Sequence, residues 1–578
     1  MAALSYDPGV GVATSFDRSE ALRRLGDETF DVLVIGGGAT GAGVALDAAS
    51  RGLRTALVER TDFGAGTSSY SSKMIHGGLR YLQQGDFSLV YQSLTERKRL
   101  LENAPHLVQV MGFLVPIYTE GGLIPKIVAR LFGLVLWGYD IVGGWSWFWG
   151  RRHQRLGRDD TLAHMPTLDA EFVDSGYLYF DAQADDARLT LSIARTAALD
   201  HSAVVANHAA VTGLLTNAEG RLEGAVVDTG QATLEVRATA VVNAAGVWVD
   251  GVGVLDGMED PTIRPARGVH VVVPRRAVEN DVAVILAVPD TPSTIFVVPW
   301  GEVAYVGTTD TDYEGDLDSP YCTADDVRYL LASLNHSTDH EVTADDVVGS
   351  WAGLRPLLRD AADDRTADLS RRHSVIRSES GLITVAGGKL TTWRLMAEDT
   401  VDEVLRLLER DAECRTRSVR LRGADGYDQV SDGGLGQARR DHLVGRYGSD
   451  AATVIAIVND DPSLGEPLVA GLPYLKAEAV YAARHEMAVT LDDVLSRRTM
   501  ARLLARDASS DAAEAVAGII AGALGWSPDD CSAQVDDYRA SVAVERTAMT
   551  SSGPDPSTAT DKPLGWAPTV RLSSRLTR

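Results

Sequence analysis

The sequence predicts a mixed α/β protein. A Rossmann-like dinucleotide-binding domain is interleaved with a β-rich domain, and a helical domain follows. Three observations carry this. First, the apolar run Asp31-Val32-Leu33-Val34-Ile35 enters Gly36-Gly37-Gly38-Ala39-Thr40-Gly41, then a small-residue helix, then a second apolar run, Leu53–Val58, that ends in Glu59. This is the βαβ context that a G-x-G-x-x-G spacing needs before it carries weight. Second, short strand-like segments of the same kind return at 241–243 and 382–386, with other material inserted between them. Third, residues 420–545 are rich in Ala, Leu, Arg and Asp and read as helical.

Each glycine of the first element has its own reason. Gly36 permits the tight turn, Gly38 lets the backbone approach a pyrophosphate, and Gly41 lets helix and strand pack closely. The helix N-terminus offers free N–H groups and a positive dipole end to the phosphates. Glu59, about 20 residues beyond the glycines, suits the ribose hydroxyls and disfavours a 2′-phosphate, so NADP is not expected.

Bulk properties exclude several classes. The 578 residues exceed a single simple domain, and 45% hydrophobic with 23% charged residues is a globular composition. A net charge of −25 argues against nucleic-acid binding. The three cysteines, Cys322, Cys414 and Cys531, are far apart and form no metal or disulfide framework. Arg23-Arg24 precedes Leu25-Gly26-Asp27 rather than an apolar core, so no export signal is expected. No uncharged apolar run approaches the roughly 18 residues of a spanning helix; the nearest, Ile127–Gly150, is broken by Arg130 and Asp140.

In order, residues 1–29 read as a loose arm. Residues 30–110, 181–250 and 345–412 form the discontinuous nucleotide-binding domain. Residues 111–180, irregular and aromatic-rich, and 251–344 form the second domain. Residues 413–547 are helical, and 548–578, with Ser, Thr and Pro, form a disordered tail. Helices are expected over Asp185–His201 and from Trp393 to about Arg410. Gly251-Val252-Gly253 imitates half a nucleotide motif but follows no clear strand. Asp310 and Asp312 carry too few carboxylates for a metal loop, and no metal site is expected.

The segment Thr67–Leu82 (TSSYSSKMIHGGLRYL) combines hydroxyl residues and glycines, which let backbone lie against a planar ligand, with the charges of Lys73, His76 and Arg80. Together with GGGxxGAG, VGTTDTD at 306–312, GLRPL at 353–357 and GGKLTTWR at 387–394, it resembles the FAD-dependent, quinone-linked glycerol-3-phosphate dehydrogenases from about residue 28 to about 540. Asn243-Ala244-Ala245-Gly246 resembles the family's NATG motif, with Ala245 where Thr is common.

The resemblance implies an FAD-binding fold of the glutathione-reductase/D-amino-acid-oxidase type. It implies oxidation of glycerol 3-phosphate to dihydroxyacetone phosphate, with electrons passed to a membrane quinone. The implied cofactor residues are Gly36, Gly38, Gly41, Glu59, Thr67, Ser68, Ser72, Lys73, His76, Gly77, Gly78, Ala245, Gly246, Gly387, Gly388, Lys389, Leu390 and Thr391. The implied substrate residues are Arg80, Tyr81, Arg355, Arg371 (or its neighbour Arg372) and Lys389, since arginine suits a phosphate dianion. His270 is the implied base, with Arg355 and Lys389 completing the catalytic group and His76 as the alternative base. A homodimer is left open.

Trp137, Trp145, Trp147, Phe148 and Trp149 crowd a segment flanked by Lys126, Arg130, Arg151, Arg152, Arg155 and Arg158. That pattern fits an anionic lipid surface at the cytoplasmic face, or a domain contact. Three competing readings are an oxidase that gives hydrogen peroxide, a non-catalytic FAD scaffold, and a nicotinamide enzyme. The last lacks a second nucleotide motif.

Overall fold

The computed structural model describes residues 16–78, 86–119, 129–143, 152–289, 291, 293–359 and 373–550. Two large sheets organise them. In the first, Thr29–Ile35 is central, with Thr55–Val58 on one side and Thr233–Asn243 on the other, both parallel. Val204–Ala206 extends one edge in parallel, and Ile383–Gly387 adds to the other. Thr29–Ile35 and Thr55–Val58 are buried almost throughout, as expected of parallel strands covered on both faces. Ile35, Val58 and Asn243 therefore end together at one edge, where ligands bind in open α/β sheets. An antiparallel meander, 210–216 and 222–228, joins the first half of Thr233–Asn243.

Helix Ala39–Ser50 packs between Asp186–His201 and Trp393–Leu407. The contact is close because a Cβ on Gly43 would lie 2.6 Å from the Trp393 ring. Asp185 caps helix Asp186–His201 by accepting from the Arg188 N–H.

The second sheet has ten strands. One of its two longest antiparallel ladders joins Gln109–Tyr118 to Val173–Gln183. The expected irregular region 111–180 thus holds two long strands, whose Phe113, Tyr177 and Tyr179 are good strand residues. Gly349–Leu358, expected with the nucleotide sheet, instead pairs along its whole length with Ile263–Pro274. It is buried over its first six residues, which suits a strand covered on both faces. Met74–Ile75 also belongs to this sheet.

Residues 18–27 of the expected loose arm form a helix. Asp17 caps it, accepting from Glu20 N–H at 2.9 Å, and Leu25 is buried beneath it. The C-terminal region is helical, as read, and its last helix, Pro528–Thr550, enters the first residues of the expected tail. Gly251-Val252-Gly253 sits inside helix Val249–Leu255. Among the described residues no helix is long and apolar enough to cross a membrane.

Candidate active site

The first strand delivers the chain into Gly36 at a φ of +110°, where a Cβ would lie 2.7 Å from the Ala244 carbonyl oxygen. A Cβ on Gly41 would lie 1.9 Å from the Gly36 carbonyl oxygen, so the third glycine is set by contact between helix and turn. Gly38 differs: a Cβ would meet only Ser68 Oγ, at 3.2 Å. The protein leaves that position open to the cleft. Gly37, which the spacing leaves unassigned, is also constrained, because a Cβ there would lie 2.8 Å from Glu59 Cβ.

Ser68 supplies the cap that Gly38 lacks, accepting the Ala39 N–H at 2.9 Å. Glu59 accepts the Gly37 N–H at 2.6 Å on one oxygen and the Thr61 N–H at 2.8 Å on the other. It ties the turn to the following loop and keeps acceptor capacity, since a carboxylate offers about four lone-pair sites. Arg60, with its guanidinium 4.9 Å from the Trp248 ring, and Thr61 continue the wall. Ala245 and Gly246 face them, and Gly387–Leu390 close the far end. Gly387 and Gly388 have φ of +81° and +88°, and a Cβ on Gly388 would lie 2.3 Å from Met396 Sδ. Bare backbone, a helix N-terminus and an acidic residue at the second strand's end fit an extended dinucleotide.

A cavity of about 670 Å³ adjoins this cleft, sharing Thr67, Gly388, Lys389 and Leu390 with it. His270 lines it from strand Ile263–Pro274, in register with Gly307 on one side and Trp351 on the other. The imidazole stacks on Trp351 at 4.8 Å and 17°. Gly307 makes room for it, since a Cβ there would lie 2.2 Å from the ring. Nε2 is 2.8 Å from Ser72 Oγ, and the buried Nδ1 has no hydrogen-bond partner among the described residues.

Burial first, then the charges of Arg355 and Lys73, push the imidazole well below its ordinary pKa. His270 is therefore neutral at pH 7. Its folded pKa lies below the unfolded one, so the unfolded chain binds the extra proton. This group's contribution to stability then falls as the pH drops below about 6.5. Denaturant titrations of wild type and His270→Asn between pH 5 and 7.5 should show a shallower acid loss in the variant. Equal slopes would remove His270 from the account.

Arg355 enters the same cavity from strand Gly349–Leu358. Its guanidinium fits against Gly268, where a Cβ would lie 2.4 Å from Nη2. It donates to Asp310 Oδ1 at 3.1 Å, Thr308 Oγ1 at 3.3 Å and the Thr309 carbonyl at 3.2 Å. His76, Gly78 and Thr391 also line the cavity. Thr391 Oγ1 grips the His76 backbone, accepting its N–H at 3.3 Å and donating to its carbonyl at 3.4 Å.

Like Gly41, two expected cofactor residues of the Thr67–Leu82 segment lie behind the wall rather than on it. The fully buried Lys73 donates to Asp186 Oδ1 at 2.6 Å and to the Ser69 carbonyl at 2.9 Å, because a buried ammonium needs a paired carboxylate. The Gly77 N–H donates to Tyr139 Oη at 2.9 Å, and a Cβ there would lie 2.4 Å from Leu94. Trp351, Tyr139 and Asp186 thus support the site, and nothing in their local sequence signals it. Arg80, Tyr81 and Arg371, with Trp145, Trp147, Phe148 and Trp149, lie outside the described residues.

Comparison with known proteins agrees with this geometry. A family described as FAD dependent oxidoreductase matches residues 31–403, and one described as the C-terminal domain of alpha-glycerophosphate oxidase matches residues 414–531. The chain is similar to glycerol-3-phosphate dehydrogenase 2 of Mycobacterium tuberculosis, 42% identical over 91% of this chain and 90% of that protein. It is also similar to the mitochondrial glycerol-3-phosphate dehydrogenase of Arabidopsis thaliana, 35% identical over 90% of this chain and 87% of that one. The crystal structure of the glycerol-3-phosphate dehydrogenase from Bacillus halodurans complexed with FAD superposes with a TM-score of 0.74 at 31% identity, covering 91% of this chain and 96% of that one.

Proposed function

Because the chain belongs to the FAD-dependent glycerol-3-phosphate dehydrogenases, we propose that His270, Arg355 and Lys389 carry out its reaction and that its electrons leave to a quinone held in a membrane. Bound FAD supplies the acceptor for the hydride from C2 of glycerol 3-phosphate. His270, neutral and buried, takes the proton of the C2 hydroxyl, and Ser72 beside Nε2 orients its ring. Arg355 holds the phosphate through charge-assisted bonds, its fork fixed by Thr308, Thr309 and Asp310. Lys389 adds positive charge where cleft and cavity meet. Arg80 and Arg371, with Tyr81, complete the phosphate site on the strength of the resemblance.

The observation that carries this reading is the single cavity where a neutral imidazole and a pre-oriented guanidinium face the mouth of the dinucleotide cleft. Anaerobic glycerol 3-phosphate should bleach the visible flavin band. A yellow protein that stays yellow would sink the proposal. Hydrogen peroxide produced in step with turnover in air would favour the oxidase reading.

Support for a membrane acceptor lies on the outer face of two packed helices, Phe87–Asn103 and Ala129–Gly143. Leu134, Trp137 and Ile141 are 67%, 44% and 72% exposed along one side of the second, and Phe87 and Tyr91 are 70% and 61% exposed on the first. Such an apolar patch marks an interaction surface. Arg152, Arg155 and Arg158, all exposed, stand close by in sequence, and Trp137 packs edge-on against His153. Apolar groups beside cations suit the headgroup level of an anionic bilayer. The protein should co-sediment with vesicles containing phosphatidylserine, less so in high salt. Leu134→Glu with Ile141→Glu should abolish co-sedimentation and keep activity with a soluble dye. Undiminished co-sedimentation would move the docking surface elsewhere.

A further inference from the structure

The C-terminal helical domain reaches the cofactor loop through one carboxylate. Asp62, fully buried, opens the loop that follows Glu59. Arg498 holds it with two parallel bonds, Nη1 to Oδ2 at 2.5 Å and Nη2 to Oδ1 at 2.8 Å. Arg497 Nε adds a third donor at 2.7 Å, and Asn207 Nδ2 a fourth at 2.9 Å. These consecutive arginines end Asp493–Arg498, a stretch wound as a π-helix, a form that recurs at functional sites. The arginines are fixed in turn: Arg497 donates to Asp493 at 2.6 Å and Asp492 at 2.7 Å, and Arg498 Nη2 to the Glu486 carbonyl at 2.8 Å. Asp62, His208 and Asp493 bring three ligand-type atoms within 4.8 Å of one another, but guanidinium groups already balance these carboxylates, so the cluster is an ion-pair hub rather than a metal site.

On its other side the loop touches the dinucleotide turn. The Ala65 N–H bonds the Asp62 carbonyl at 2.9 Å, the Gly64 N–H bonds the Gly37 carbonyl at 3.0 Å, and Ser68 caps Ala39. Ala65 to Ser68 form part of the cleft wall. The geometry points to a role for the C-terminal domain as the clasp of the cofactor: Arg498, with Arg497, holds Asp62 and so keeps the 62–68 wall closed over bound FAD. Arg498 and Asp62 are positioning residues, and FAD leaves only when their pair opens. This rests on FAD being the bound dinucleotide, which the wild-type holoenzyme checks separately by its spectrum.

The test measures FAD release from the holoenzyme, by the rise in free flavin fluorescence, together with melting temperatures of FAD-loaded and FAD-stripped protein. Asp62→Asn and Arg498→Lys should release FAD at least tenfold faster and narrow the gap between the two melting temperatures, because ligand-linked stability falls with affinity. Leu443→Ala, in a C-terminal cluster away from the loop, should lower both temperatures and leave the gap and the release rate near wild type. If Asp62→Asn fails to fold, Arg498→Lys, which retains the charge, decides alone. Wild-type release from Arg498→Lys, or equally fast release from Leu443→Ala, would overturn the proposal.

Discussion

Gly41→Val should yield a colourless protein that cannot be reconstituted with FAD. The new Cβ would stand 1.9 Å from the Gly36 carbonyl oxygen, backbone that cannot swing aside. Relief requires the helix start to move off the turn, and the N–H groups of that helix start are what the pyrophosphate needs. Gly38→Ala offers the contrast. Its Cβ meets only a serine hydroxyl at 3.2 Å, so the apoprotein should fold normally and any loss should appear in FAD affinity alone. Glu59→Gln should be milder still, since its amide oxygen can keep one of the two backbone N–H bonds. Absorbance at the flavin band relative to protein, after incubation with excess FAD, measures all three. A yellow Gly41→Val protein would show that the helix start tolerates displacement.

Arg355→Ala should raise the KM for glycerol 3-phosphate on the order of ten- to a hundredfold, the equivalent of about 1.5–3 kcal/mol for a lost charged hydrogen bond. FAD content should stay at the wild-type level, because the side chain faces the cavity and bonds the Thr308–Asp310 segment. Arg355→Lys should recover only part of the loss, since an ammonium cannot reproduce the planar fork. Glycerol, which lacks the phosphate, should be a poor substrate for wild type and variant alike. A wild-type KM in Arg355→Ala would take the residue out of the phosphate site.

Local chemistry announced the cofactor cleft. Gly36 and Gly41 are glycines for reasons visible in a dozen residues, and Gly387-Gly388 at a strand end marks a second close approach. What stayed hidden depends on pairing across long stretches of chain. Gly349–Leu358 joined the second sheet because its register complements Ile263–Pro274, which no pattern within the segment reveals. Lys73 looked like a ligand of the cofactor because it sits in the right loop. It turned inward because Asp186, on a helix more than a hundred residues on, supplies the counter-charge. The grip of Arg498 on Asp62 is more remote still, and two charged residues in unrelated segments carry no sign of each other. Trp351 beneath His270 likewise became visible only once two strands were side by side.

The nucleotide sheet takes its central strand from the start of the chain and Ile383–Gly387 from about 350 residues later. On a ribosome adding roughly 5–20 residues per second, that interval is on the order of 20–70 s. Throughout it, Thr29–Ile35 has no complete sheet to join, and its apolar side chains need shelter while the ten-stranded sheet is still being made. The halves should not fold as independent domains, because each cut between 36 and 382 removes a strand from the nucleotide sheet. Chains released early should accordingly go to chaperones or aggregates rather than to a partly working flavoprotein, and slower translation should lengthen that vulnerable period rather than help folding.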